Sequence, residues 1–231
     1  MKLRVSPVVK LCRMVASATF CFCAFAGVAP TAGPSPSFSP PTVTTATDIP
    51  FPINAVSYGM VSLLLTVDKT GNLQNTQVIR DYPALTSVVR TAVQNWRFAP
   101  ATKGRKNVPA VLALSVVFNP SNPLRPLAVP AAAVTATPAT GGPAYVPPQI
   151  VSGTFAPYPI NSAAWGAVVL QVNIDATGAV AGVSPVRDLA SLTAPSISAV
   201  RQWTFHPATL GGQPVAGSLI VAFVFGNNNA K

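Results

Sequence analysis

Hydrophobic and polar positions alternate along two stretches of the chain that lie 107 residues apart. Val61, Leu63, Leu65 and Val67 alternate with Ser62, Leu64 and Thr66; Val168, Leu170, Val172 and Ile174 alternate with Val169, Gln171 and Asn173. Period two with one apolar face predicts a half-buried strand. Each stretch runs into Asp-x-Thr-Gly, at 68–71 and 175–178, a tight reversal in which Gly71 and Gly178 can take positive φ. A second strand is expected over 73–80 and 180–187. The period then changes. Leu85, Val89, Ala92, Val93 and Trp96 form one helical stripe, repeated by Leu192, Ser196, Ala199, Val200 and Trp203. Asp81 and Ser191 stand where N-caps are expected, and the regular helix is confined to the residues after Pro83 and Pro195. A third strand alternates through Val108, Ala110, Leu112, Leu114, Val116 and Phe118, and again through Val215, Gly217, Leu219, Val221, Phe223 and Phe225.

The two stretches are copies of one unit. The register holds without a gap from Phe51 to Phe118 against Tyr158 to Phe225, with 25 of 68 positions identical. Two copies separated by a polar, Pro-rich stretch mean duplicated small domains, whereas a solenoid needs abutting units. The fold class is therefore α+β: two tandem β-β-α-β domains, 51–119 and 158–226, each a three-stranded antiparallel sheet with one helix on one face. Residues 27–50, rich in Pro, Ser and Thr, and 120–157, rich in Pro and Ala, read as linkers in polyproline II, with 227–231 as a tail. A single helix cannot cover both faces of a sheet. The outward residues Leu64, Val111, Ala113, Val117, Val169, Ile220, Ala222 and Val224 are more apolar than a solvated face needs. Packing of one copy on the other or on a homodimer mate would explain this, and so would a surface for a separate partner.

Residues 1–26 read as an export signal: Lys2, Arg4, Lys10 and Arg13 precede an apolar run, Met14 to Ala24, with small residues for cleavage after it. Retention as an N-terminal anchor is the alternative. Cys12, Cys21 and Cys23 all lie inside this segment, so cleavage leaves a chain without thiols. The signal also removes four of the fifteen basic residues behind the net charge of +10. The remaining excess sits in the first copy, most densely at Lys103-Gly104-Arg105-Lys106. Basic stripes with interleaved aromatics are absent, which argues against nucleic acid. Catalytic chemistry has little to work with. Glu is absent, His206 stands alone, and the aspartates begin turns or sit beside Arg80 and Arg187. No three or four donors converge for a metal, so neither a metal site nor a cofactor is expected.

The most specific motifs are Trp96-Arg97-Phe98-Ala99-Pro100-Ala101 with Gly104, and Trp203-Thr204-Phe205-His206-Pro207-Ala208 with Gly211. In each copy an aromatic-Pro pair, Gly-x-Val and Asp-x-x-Gly precede them, and a strand ending in Phe comes after. This combination resembles the TonB C-terminal domain family, over both copies. The resemblance implies a non-enzymatic fold that acts by contact, with its last strand at a sheet edge pairing with a short receptor peptide. Carried over by position, the edges are Val108–Phe118 and Val215–Phe225. The partner-binding residues are then Val111, Ala113, Ser115 and Val117, with Ser218, Ile220, Ala222 and Val224. Trp96, Phe98, Trp203 and Phe205 read as core. The expectation is an exported periplasmic binding or adaptor protein of the Gram-negative envelope, linked to TonB-dependent transmembrane transport. Its partner would be an envelope or outer-membrane receptor protein. Alternatives are an inner-membrane-anchored energy transducer, and a structural protein that holds peptidoglycan through Lys103, Arg105 and Lys106. Self-association through the open sheet faces is a further expectation.

Overall fold

The computed structural model describes residues 37–52, 58–119 and 139–226. The expected leader with its cysteines, half of the second expected linker (120–138) and the tail lie outside the described residues. In the first half, β1 (Phe38–Ser39) and β2 (Thr42–Thr45) precede two long strands, β3 (Gly59–Val67) and β4 (Leu73–Arg80). Helix α1 (Pro83–Gln94) comes next, then β5 (Arg97–Ala99), β6 (Ala101–Lys103), β7 (Lys106–Val108) and β8 (Ala110–Asn119). The second half repeats the order. Its strands are β9 (Tyr145–Val146), β10 (Gln149–Ser152), β11 (Gly166–Ile174) and β12 (Val180–Arg187), then, after α2 (Thr193–Val200), β13 (Thr204–His206), β14 (Ala208–Leu210), β15 (Gln213–Val215) and β16 (Gly217–Phe225). Among the described residues the chain is mixed α and β, mostly strand, with two short helices in two sheet-rich halves.

The halves do not form separate sheets. Their long strands join in one six-stranded sheet, ordered β12-β11-β16-β8-β3-β4. Every neighbouring pair is antiparallel except β16 and β8, which run parallel from Leu219↔Ala113 to Phe225↔Asn119. Equivalent strands side by side and parallel mean that the halves are related by a half-turn about the strand direction. Such a rotation turns the sheet over, so the two helices lie on opposite faces. Leu85, Val89 and Val93 of α1 pack with Leu63, Leu65, Leu112 and Leu114. On the other face Val200 of α2, with Leu192 just before it, packs with Leu170, Val172, Leu219 and Val221.

This arrangement explains why both faces of each half are apolar. The face of the second half that α2 leaves bare carries Val169, Ile220, Ala222 and Val224, all buried in the cluster around α1. The bare face of the first half is covered likewise: Val117 joins the cluster around α2, and Leu64 and Val111 pack with Ala139. Of the two explanations open from sequence, packing of one copy on the other accounts for these residues. The open faces expected to drive self-association are occupied within the chain.

The segments before each copy do much of this covering. The repeat extends upstream of Phe51: Phe38 corresponds to Tyr145, Pro40-Pro41 to Pro147-Pro148 and Thr47 to Thr154, still at an offset of 107. Residues 37–50 and 139–157, expected as linkers, are instead straps carrying strands, and the described residues form one compact unit. In the first strap β1 pairs with β6 and β2 with β5; in the second β9 pairs with β14 and β10 with β13. The proline pairs separate the two short strands of each strap, because proline lacks the N–H that a ladder needs. Ile49 is fully buried, and Phe38 meets Tyr145 with ring centroids 4.6 Å apart.

Local signals hold with small corrections. Gly71 and Gly178 take φ of 86° and 92° in the hairpins, and a Cβ there would meet the backbone oxygen of Phe98 or Phe205 at 2.4 or 2.5 Å. The N-caps are Tyr82 and Leu192, not Asp81 and Ser191. Thr86 reaches back to accept a hydrogen bond from the N–H of the cap residue Tyr82, and Thr193 from the N–H of Leu189, both at 2.9 Å. Ser196, the polar break in the second stripe, is buried and donates to the Leu192 carbonyl at 2.7 Å.

Candidate functional site

The eight residues expected to line an exposed last strand are interior. β8 lies between β3 and β16, and β16 between β8 and β11, so both backbone edges of each strand are paired. Val111, Ser115, Val117, Ser218, Ile220, Ala222 and Val224 are buried, and Ala113 is half-buried. Ser115 shares a hydrogen bond with Ser62 at 3.1 Å. The edge assignment for 108–118 and 215–225 is therefore corrected. Duplication supplies each last strand with a neighbour, and apolar residues on both of its faces favour a central place over an edge.

Among the described residues, β4 and β12 are the outer strands of the large sheet and have no further strand beside them. Both carry register shifts at matching places, near Ser62/Leu63 and Thr66/Val67 in one hairpin and Val169/Leu170 and Asn173/Ile174 in the other. Irregular edges resist pairing with stray strands. Pro185 interrupts β12 further, whereas β4 contains no proline.

The basic loop forms the turn between β6 and β7, with Lys103 opposite Lys106, and all three of its cations are exposed. Gly104 takes φ of 62° and its N–H donates to the Ser37 carbonyl at 2.9 Å, so the first strap holds the turn in place. The fold adds a cation that is distant in sequence. Asn107 donates to the Lys69 carbonyl at 3.2 Å, which sets the β3–β4 turn beside this loop. The adjacent acid is committed to its own turn: Asp68 accepts from the Thr70 hydroxyl and N–H, the Asn72 N–H and the Gln74 amide. Those donors, Thr70 foremost, hold its carboxyl down to about pKa 2.

A second polar arrangement is invisible in the sequence pattern. Asp48, in the first strap, accepts a hydrogen bond from the Ala167 N–H at 2.9 Å and pairs with Arg187 at 3.1 Å. Arg187 also donates to the Ala167 carbonyl. The strap of one half is thereby pinned to two strands of the other. The upstream extension of the repeat was the signal that could have revealed it.

His206 lies exposed in β13, opposite Gln149. Among the described residues no three His, Cys, Asp or Glu side chains are grouped to hold a metal ion. No described helix is long and apolar enough to cross a membrane. Trp96, Phe98, Trp203 and Phe205 are buried, as the motif implied.

The geometry defines a duplicated, strand-rich protein whose surface offers sheet edges and a charged tip. The chain belongs to the family described as Gram-negative bacterial TonB protein C-terminal, whose model matches residues 53–120 and 158–226. No curated protein and no solved structure matches the chain significantly.

Proposed function

We propose that this chain is an exported, non-enzymatic binding or adaptor protein of the Gram-negative envelope, linked to TonB-dependent transmembrane transport. The observation that carries this reading is the double family match, over 53–120 and 158–226. Its partner is an envelope or outer-membrane receptor protein, and contact takes place at the remaining edges, β4 and β12, rather than along the last strands. A periplasmic location rests on the reading of 1–26 as a cleaved signal; retention of that segment would make the chain an anchored transducer instead.

Photo-cross-linking in intact cells tests the proposal. A photoreactive residue at Gln77 or Ser184, on the two free edges, is expected to capture an envelope protein. The same residue at Thr91, exposed on α1 away from those edges, is expected to capture none. Adducts confined to cytoplasmic proteins, or none above background at either edge, would refute it.

A second reading, retention on peptidoglycan, is favoured by one observation, the hydrogen bond that sets the turn of Lys69 beside the loop of Lys103, Arg105 and Lys106. Such retention is electrostatic and weakens as salt rises. Co-sedimentation with purified cell wall would then fall on replacing Lys103, Arg105 and Lys106 by Gln.

A further inference from the structure

Lys69, Lys103, Arg105 and Lys106 stand exposed on two turns, 68–71 and 103–106, which the hydrogen bond from Asn107 to the Lys69 carbonyl holds side by side. Asp68 is the single acid on these turns, and its carboxylate is taken up by Thr70, Asn72 and Gln74. Four cations against one acid leave a net charge of +3. None of the four forms an ion pair among the described residues. The second half builds the same turn without the charge. Gly211 donates to the Ala144 carbonyl at 2.8 Å as Gly104 does to that of Ser37 at 2.9 Å, at equivalent positions. Yet Ala176, Leu210, Gly212 and Gln213 stand where the first half has its cations. The fold therefore does not need them.

What sets the first turn apart is the chain that leads to it. The strap of the second half follows residues 120–138, rich in Pro and Ala, whereas the strap of the first follows residues 1–36, which contain the apolar run Met14 to Ala24. Read as an export signal or as an anchor, that run brings the chain to a bilayer. Its 11 residues, 14 to 24, are fewer than the roughly 20 that span one. A marginal apolar hold becomes stable with a second signal, such as a basic patch. From Ala26 to Ser37 the chain reaches about 40 Å at most, so the charged turn stays within that distance of the bilayer while the leader is in place.

We propose that Lys69, Lys103, Arg105 and Lys106 dock this end of the sheet on an anionic phospholipid surface, their ammonium and guanidinium groups against the lipid phosphates. The contact is electrostatic and long-range, and salt screens it. It also sets an orientation. Tyr58 and Trp165, both exposed, precede β3 and β11 at the opposite end of the sheet and point away from the lipid. Nine residues of β3 at roughly 3.3 Å each put the two ends about 30 Å apart. The proposal takes only its compartment from the envelope reading, and the two fail separately. Edge adducts in cells without lipid contact at the turns would sink the docking alone; lipid contact without edge adducts would sink the receptor reading alone.

The probe is a phosphatidylcholine vesicle with or without phosphatidylglycerol, mixed with the full-length chain. Amine labelling read by mass spectrometry is expected to slow at Lys69, Lys103 and Lys106 on the anionic vesicle and not on the neutral one. Vesicle flotation gives the affinity. Lys103→Gln with Arg105→Gln should weaken binding to anionic vesicles about 25-fold, at about fivefold per cation, and the loss should shrink as salt rises. Arg90→Gln with Arg97→Gln removes the same charge from exposed positions outside the two turns and should leave binding unchanged. Lys2, Arg4, Lys10 and Arg13 are common to all variants, so differences between variants read the turns alone. Equal labelling on both vesicles, or equal weakening by both pairs, overturns the proposal. Loss of binding in Trp165→Ala would mean that the other end meets the lipid and overturns it too. Co-sedimentation with purified cell wall that the Lys103→Gln/Arg105→Gln pair abolishes, with vesicle binding unaffected, would assign the cations to the wall polymer and overturn it equally.

Discussion

Positions 48 and 155 occupy the same place in the two straps, yet one is an aspartate in an ion pair and the other a phenylalanine packed on the core around α2. Their opposite numbers in the sheet, Arg187 and Arg80, are identical residues with different surroundings. Arg187 faces Asp48, while Arg80 lies over the Tyr82 ring, 5.7 Å from its centroid. Both solutions secure a strap over the other half's bare face. What the fold requires is coverage of apolar strand positions, and the chemistry that fastens the strap is free to differ. The same division runs through the repeat. The hairpin Asp-x-Thr-Gly and the buried Trp-x-Phe are kept in both halves, where glycine's missing Cβ lets the turn sit on a backbone carbonyl. The loop tip and the start of each outer strand, which are largely exposed, have diverged: cations at 103, 105 and 106 against Leu210, Gly212 and Gln213, and Gln74 and Asn75 against Ala181 and Gly182.

If the halves are one cooperative unit, a cut in one half must be felt in the other. Ile220 belongs to the second half but is fully buried in the cluster around α1. Ile220→Ala should destabilise the protein by about 2–5 kcal/mol, the usual range for emptying such a site. The loss should appear in a single urea transition, the same whether read from Trp96 or from Trp203 in variants that keep only one buried tryptophan. Ile197→Ala, only half-buried on α2, should cost less. Two separated transitions would mean independent domains, and the continuous sheet would then be wrong as a description of the molecule in solution.

The expected strands, hairpins and helices were legible because period two, Asp-x-Thr-Gly and the helical stripes are local. Assembly was not, for a physical reason. Val169, Ile220, Ala222 and Val224 announce that a face is covered but carry no information about what covers it, and a homodimer or a partner would leave the same pattern. The straps were missed because their strands are two to four residues long and broken by Pro40-Pro41 and Pro147-Pro148, which reads as polyproline II. The candidate edges at 108–118 and 215–225 came from a single-domain arrangement. In a duplicated chain, pairing the two last strands removes the very edge that a lone copy exposes.

The strap comparison can be sharpened at Asp48. Asp48→Ala removes a partly exposed ion pair, worth about 0–1 kcal/mol, and leaves the Ala167 N–H without its acceptor, which adds about 1 kcal/mol. The expected loss is therefore about 1–2 kcal/mol, with the ionic share shrinking at high salt. Asp48→Phe, which copies Phe155, should recover part of it if coverage rather than charge is what the strap supplies. Thermal unfolding at two salt concentrations checks both points. A variant as stable as the parent at low salt would show that the pair contributes nothing.

The smallest difference expected between the halves lies in their hairpin turns and shows only in acid. Asp68 and Asp175 accept the same Thr and backbone donors, and both carboxyls are held below the ordinary aspartate value, Asp68 at about 2. A folded-state pKa below the unfolded one contributes stability that is present above the unfolded value, near pH 4. That contribution fades as pH falls through the folded value, so for Asp68 the window runs from about pH 4 down to about pH 2. Asp68 has an additional donor in Gln74, whose place in the second half is taken by Ala181. Carboxyl NMR titration of the folded protein should therefore find Asp68 the lower of the two. Asp68→Asn should flatten the acid limb of the stability curve more than Asp175→Asn, and Gln74→Ala should bring Asp68 toward its counterpart. An Asp68 that titrates at the ordinary value would mean that its turn is held by backbone geometry alone, and the two hairpins would then differ in sequence without differing in physics.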